Sequence, residues 1–264
     1  VSLISEVYSD TQCIITAISP VNGSVSPDTR PADDPFLSHN GDYSIPAPTR
    51  FCWSTSQTTH PITYSLYISE DSIISDTDIV FLNISDTQYN VWNLKINTTY
   101  FWMISVFGID NTGACKNSPL FSFRTPDLWP RMIFIEGTTN MRDIGGITNI
   151  DGKRVAQGLF YRGGSFDTGT NVTANRLDQF RRLGIVCEID LRGNYNDIPI
   201  GPWLNKYIHP LTDSGEGMYS YYYGQVYTSS AFQVVFEEMA LKQNYPMILH
   251  CIMGADRTGT VVAL

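Results

Sequence analysis

Long apolar runs, basic clusters and paired cysteines are what this 264-residue chain lacks. No stretch approaches the ~20 apolar residues of a membrane-spanning helix. No basic-then-apolar leader opens it at Val1, so export is not read from it directly, since a cleaved leader leaves no trace. Lys and Arg number only 17 against 26 Asp and Glu, and they are scattered. That balance argues against nucleic acid and against general attraction to anionic membranes. None of Cys13, Cys52, Cys115, Cys187 and Cys251 pairs with another at zinc-ligand spacing, so no metal is expected. Five is odd, which leaves at least one thiol unpaired within the chain. Disorder is excluded by 42% hydrophobic residues, and the length suffices for two domains with their own cores.

The charge is uneven. Residues 1–127 hold 5 Lys and Arg against 13 Asp and Glu, a net of −8, whereas residues 128–264 hold 12 against 13, a net of −1. The acidic half reads as short strands without a helix, seven or so in all; of these, 13–18, 50–54, 63–68, 88–92, 100–107 and 120–124 are β-branched and aromatic, several with period-two alternation. Such a series predicts a β-sandwich. Residues 20–48, rich in Pro, Asp, Ser and Gly, read as a long surface loop. Leu94-Lys95-Ile96-Asn97-Thr98-Thr99-Tyr100, with Trp53 on an early strand and Phe121-Ser122-Phe123 near the close, resembles a fibronectin type III domain over about residues 1–125.

Residues 126–132 read as a proline-bounded linker carrying Trp129, and from Ile133 strands alternate with helical stretches. Helices are expected over 173–183 and 231–242, the latter with Phe232, Val235, Phe236 and Met239 on one face. A strand is expected over 184–190, and another over Pro246-Met247-Ile248-Leu249. This order predicts an α/β domain with a central sheet over 133–264.

After that last strand comes His250-Cys251-Ile252-Met253-Gly254-Ala255-Asp256-Arg257-Thr258-Gly259. A strand, a glycine-containing loop and a helix start build an anion site, because loop N–H groups and the positive helix end converge. The same field favours the thiolate of Cys251, which makes it a nucleophile toward phosphorus. Arg257 can hold two oxygens at once. The residues Ile252, Met253, Gly254, Ala255, Asp256, Arg257 and Thr258 would cradle a phosphate, with Thr258 donating to the sulfur and His250 bracing the loop.

The Cys-x5-Arg-Thr pattern resembles the cysteine-dependent phosphatases. Asn140-Met141-Arg142-Asp143-Ile144-Gly145-Gly146, then Tyr161-Arg162-Gly163-Gly164-Ser165, then Asp190-Leu191-Arg192 occur in the order of their bacterial and fungal tyrosine/lipid branch. The resemblance implies a phosphotyrosine or dual-specificity phosphatase without metal or organic cofactor, acting on a phosphorylated protein or peptide through a cysteinyl-phosphate. Two aspartates compete for the general acid, Asp256 and Asp213. Ala255 stands where many members carry lysine, which weakens the case for highly charged substrates unless Arg142, Arg162 and Arg192 line the cleft. A network of Asp190 and Arg192 with Asp256, or a buried ion pair between the first two, is expected there. Tyr219, Tyr221, Tyr222, Tyr223 and Tyr227 read either as a lid or as helix packing.

The rivals are a phosphoinositide or inositol-phosphate phosphatase and a phosphate-recognising binding protein without turnover, its sandwich gripping a protein or surface ligand. The family has further helices beyond the one starting at Thr258, so a fragment or cleaved product is expected, with the remainder of the domain as a partner. The fibronectin-like topology puts Cys13 and Cys115 at one end of the sandwich, with Cys52 pointing away from the core. A disulfide between the first two and a secreted or cell-surface location are therefore expected, in keeping with Asn-x-Ser/Thr triplets at Asn22, Asn83, Asn97 and Asn171.

Overall fold

Alternation of buried and exposed residues shapes the first half of the chain. The computed structural model describes residues 14–28, 46–56, 62–75, 78–108, 117–166, 173–192, 199–210 and 230–263. They form two units, one built by Pro48–Asp127 with the N-terminal strands, the other by Leu128–Leu264. In the first unit run β1 (Ile15–Ser19), β2 (Ser24–Val25), β3 (Thr49–Thr55), β4 (Ile62–Ser69), β5 (Ile79–Ile84), β6 (Gln88–Val91), β7 (Thr99–Gly108) and β8 (Phe121–Arg124). They make a three-stranded sheet, β1-β3-β6, and a five-stranded one, β2-β8-β7-β4-β5.

Phe51 and Trp53 point from the first sheet onto Leu66, Ile68, Trp102, Ile104 and Phe123 of the second. The Phe51 and Trp102 rings meet edge to face at 5.1 Å. Burying each such side chain contributes about 1.5–3 kcal/mol. Cys52, between Phe51 and Trp53 in β3, faces the other way and is half-exposed. Tyr100 turns back so that its hydroxyl accepts from the Lys95 N–H at 2.9 Å, the geometry of a tyrosine corner.

Two strands depart from expectation. β2 lies inside the stretch read as loop: it pairs parallel with β8, and Asn22 Oδ1 accepts from the Ser122 N–H at 2.8 Å. Two residues are too few to show periodicity. β5 lies at a sheet edge with Ile79, Val80 and Phe81 half-buried and Leu82 exposed, so no alternation marked it. Cys13, Cys115 and most of the 20–48 stretch lie outside the described residues.

The second unit is a six-stranded mixed sheet in the order β13-β12-β14-β11-β10-β9. Its strands are β9 (Arg131–Met132), β10 (Arg142–Asp143), β11 (Phe160–Gly163), β12 (Cys187–Asp190), β13 (Lys206–Ile208) and β14 (Met247–His250). Its helices are α1 (Ala174–Arg182), α2 (Ser230–Met239) and α3 (Asp256–Ala263). β11, β14, β12 and β13 are parallel, while β10 pairs antiparallel with β9 and β11. β14 and β12 are buried throughout.

Successive residues of β14 serve opposite layers. Ile248 joins Tyr161, Phe180 and Ile185 on the α1 side, whereas Met247 and Leu249 join Phe232, Val235 and Val261 from α2 and α3. Thr173 caps α1 by accepting from the Arg176 N–H at 3.1 Å, and Gly184 at φ +71° turns the chain out. α2 stops at Met239, short of the expected Lys242, which lies in a following 3₁₀ turn, Lys242–Asn244. Phe236 lies off its buried face, 37% exposed. Among the described residues no helix is long and apolar enough to cross a membrane.

Candidate active site

A loop, 251–255, joins the carboxyl end of β14 to the first residue of α3. β14 lies between β11 and β12, so the loop is flanked by the ends of both neighbours. The helix begins at Asp256, two residues earlier than expected, which puts Arg257 in its first turn. Cys251 is 3% exposed at the base of the loop. None of the N–H groups of Ile252 to Ala255 donates to another described residue. Unsatisfied loop N–H groups at a helix N-terminus are what an anion needs.

The loop lies on the end of β11. Gly254 has φ +66°, and a Cβ there would stand 2.4 Å from the Gly163 carbonyl carbon. Only glycine fits both the conformation and the contact. Ser165 donates to the Ile252 carbonyl from its N–H at 2.9 Å and its hydroxyl at 3.2 Å. The Asn140 amide donates to the Met253 carbonyl at 3.0 Å, and the Arg162 guanidinium to the Gly254 carbonyl at 2.5 Å. Arg142, directly across from Arg162 in the β10–β11 register, donates to Asn140 Oδ1 at 2.5 Å. Burial, and then the neighbouring Arg162 charge, lower Arg142 to about 10. Burial also lowers Arg162, against the pull of Cys251.

On the β12 side the Arg257 guanidinium donates to the Leu191 carbonyl at 2.9 Å, and the Leu191 N–H donates to the His250 carbonyl at 2.8 Å. Leu191 thereby ties the loop's arginine to the strand. His250 is fully buried; its Nε2 lies 3.0 Å from Glu188 Oε1 and its ring 4.5 Å from that of Phe166. Its ring bonds to β12 rather than to the loop, and its Nδ1 has no hydrogen-bond partner.

Arg192 does not line the cleft. It is 2% exposed, and Asp190 grips it through both carboxylate oxygens, with Nη2 to Oδ2 at 2.7 Å. Residues two apart at a strand end share a face, which selects this ion pair over a network reaching Asp256. Burial works to raise the Asp190 carboxyl. Hydrogen bonds from the Arg192 guanidinium, the nearby His250, the Arg192 N–H and the Arg192 charge together outweigh it and hold the group at about 2. Glu188, Asp190 and His250 gather three ligand-type atoms within 4.8 Å. The two carboxylates are already engaged: Arg192 and the Tyr207 hydroxyl take Asp190, and the Ile200 N–H and His250 take Glu188. The donor set fits a closed ion network better than a metal centre.

Asp256 is exposed on the rim, and no described residue bonds its carboxylate. Thr258 departs from expectation: its hydroxyl is buried without a hydrogen-bond partner and donates nothing to the sulfur. Asp213 and the five tyrosines from Tyr219 to Tyr227 lie outside the described residues. Glu188, Asn140 and Ser165 were not singled out individually from the sequence, although the last two fall in the quoted blocks. Asp143, in the same block as Asn140, plays a different part. It pairs with the buried Arg131 and accepts the N–H groups of Gly145 and Gly158, fixing the β10 turn.

A thiol at the foot of a loop whose N–H groups have no described acceptor, with an arginine in the next helical turn, is an arrangement suited to binding a phosphate. Residues 133–264 match the model of the tyrosine phosphatase family, and the chain belongs to that family, its second half being a phosphatase domain. No curated protein matches the chain.

Proposed function

We propose that the chain hydrolyses phosphomonoesters of phosphotyrosine or dual-specificity protein substrates through a cysteinyl-phosphate. The observation that carries this reading is Cys251, buried between the end of β14 and the N-terminus of α3 beneath unsatisfied N–H groups. The Cys251 sulfur attacks phosphorus, forming an S–P bond as the P–O bond to the leaving group breaks. Arg257 and the loop N–H groups hold the three nonbridging oxygens. Asp256 gives its proton to the leaving oxygen, and a water then cleaves the S–P bond. The exposed, unengaged carboxylate of Asp256 supports that assignment. The withdrawal of Arg192 into an ion pair, with Ala255 in the loop, favours singly phosphorylated substrates over inositol polyphosphates.

The first unit is proposed to be a fibronectin type III-like sandwich, supported by the Tyr100–Lys95 corner, that presents the enzyme outside the cytoplasm.

Turnover of phosphotyrosyl peptides, soluble inositol phosphates and phosphoinositide vesicles by the wild type, Cys251→Ser and Asp256→Asn tests the reading. Cys251→Ser should abolish turnover while keeping phosphate binding. Asp256→Asn should slow alkyl and tyrosyl esters by about 10²–10⁴-fold but spare esters with very good leaving groups. Phosphate binding by the wild type without turnover overturns the enzyme in favour of a recognition protein, and preference for inositol phosphates overturns the substrate class.

A further inference from the structure

Three successive carbonyls of the loop are held from one side. Ile252 is held by Ser165, Met253 by Asn140 and Gly254 by Arg162, all from the segment Asn140–Ser165 that flanks the loop. A trans peptide points its C=O and the following N–H in opposite directions. Fixing those three carbonyls therefore fixes the N–H groups of Met253, Gly254 and Ala255 toward the other side, where none has a described acceptor.

We infer that Asn140, Arg162 and Ser165 form a clamp that aims these N–H groups at the transferring phosphoryl group, making Asn140 and Arg162 positioning residues of the reaction. The inference rests on the phosphatase reading of the same loop. Asn140 suits the part for two reasons. It sits at φ +57°, a region asparagine tolerates better than most residues. Its Oδ1 accepts from Arg142 at 2.5 Å, so the NH₂ end of the amide must face the Met253 carbonyl. Arg142 thus orients Asn140, and Asn140 orients the loop. Preorganised donors act only if they are already aimed when charge develops, and a misplacement of about 1 Å can cost ~10²-fold in rate.

The test uses the whole chain and vanadate, a mimic of the five-coordinate phosphoryl group, beside steady-state kinetics on a phosphotyrosyl peptide. Asn140→Asp keeps the oxygen for Arg142 and tolerates the backbone conformation but removes the donor to Met253. It should lower kcat about 10–100-fold, leave KM within about threefold and weaken vanadate by the same factor as kcat. Arg162→Met should do likewise, with Arg162→Lys recovering part of the loss. Ser165→Ala, which loses the hydroxyl bond to Ile252 but keeps the backbone N–H bond, should lose less than either Asn140→Asp or Arg162→Met. Unchanged vanadate affinity in Asn140→Asp and Arg162→Met overturns the clamp, as does a loss in Ser165→Ala equal to theirs. Should the wild type prove inactive on every ester, the proposed function fails. The clamp is still judged by vanadate binding across the same variants.

Discussion

Replacing Asp190 by Asn strips a carboxylate from a guanidinium that has almost no contact with water. The two side chains are 0% and 2% exposed, and the pair is closed by hydrogen bonds from Arg192 Nε, Nη2 and backbone N–H. Breaking one side of a buried pair costs about 3–5 kcal/mol, because the surviving charge stays desolvated. For a unit of this size that is a fall of roughly 10–20 °C in the Tm of its calorimetric transition. Replacing both, as in Asp190→Leu with Arg192→Met, removes the orphaned charge and should cost less than Asp190→Asn alone.

The pH dependence has a definite sign. The native carboxyl is held at about 2, below the ~3.9 of an unfolded aspartate, so its contribution is complete above pH 4 and drains away as pH falls from about 4 to 2. Two pH units correspond to about 2.7 kcal/mol, of the same order as the cost of the mutation. Denaturant melts of wild type and Asp190→Asn at pH 7 and pH 3, followed through the second unit, measure both. The gap between them should narrow at the lower pH. A gap under 1 kcal/mol at pH 7, or one that widens on acidification, would refute the reasoning. Activity should fall as well, because Leu191, flanked by the ion pair, anchors Arg257.

How much of this was legible depended on sequence distance. The corner Leu94–Tyr100 and the strand before the loop were readable because their signals are local: a tyrosine closing on Lys95, and an apolar run ending at His250. The loop itself was readable because nucleophile, glycine and arginine fall within seven residues. Arg192 was left open between the cleft and an ion pair with Asp190, although its two-residue spacing from Asp190 puts both on one face of a strand end. Glu188 shares that face by the same two-residue spacing, whereas the nearness of His250 comes from the parallel register of β12 with β14, which no local pattern encodes. Asn140 and Met253 are 113 residues apart, and only the placing of β10 and β11 beside β14 brings them together. β5 escaped because an edge strand with no single buried face obeys no period.

Two further outcomes separate backbone from side-chain demands around the loop. Gly254→Ala asks a left-handed residue to carry a Cβ 2.4 Å from Gly163, backbone that cannot swing aside, so the loop must shift; turnover and vanadate binding should both fall by more than 10²-fold with the fold retained by circular dichroism, and wild-type kinetics would show that the glycine is dispensable. Thiol labelling tests the cysteines the loop does not use. Burial, reinforced by the nearby Glu238, pushes the Cys187 thiol up to about 11. At pH 8 this leaves roughly 100-fold less thiolate than the usual cysteine value gives, so Cys187 should resist iodoacetamide in the native protein by at least that factor relative to the denatured chain. The same reagent on denatured, unreduced protein counts what remains. Three alkylated cysteines would locate a bridge between Cys13 and Cys115 and support work outside the cytoplasm, whereas five would remove the bridge and with it the chief physical argument for export.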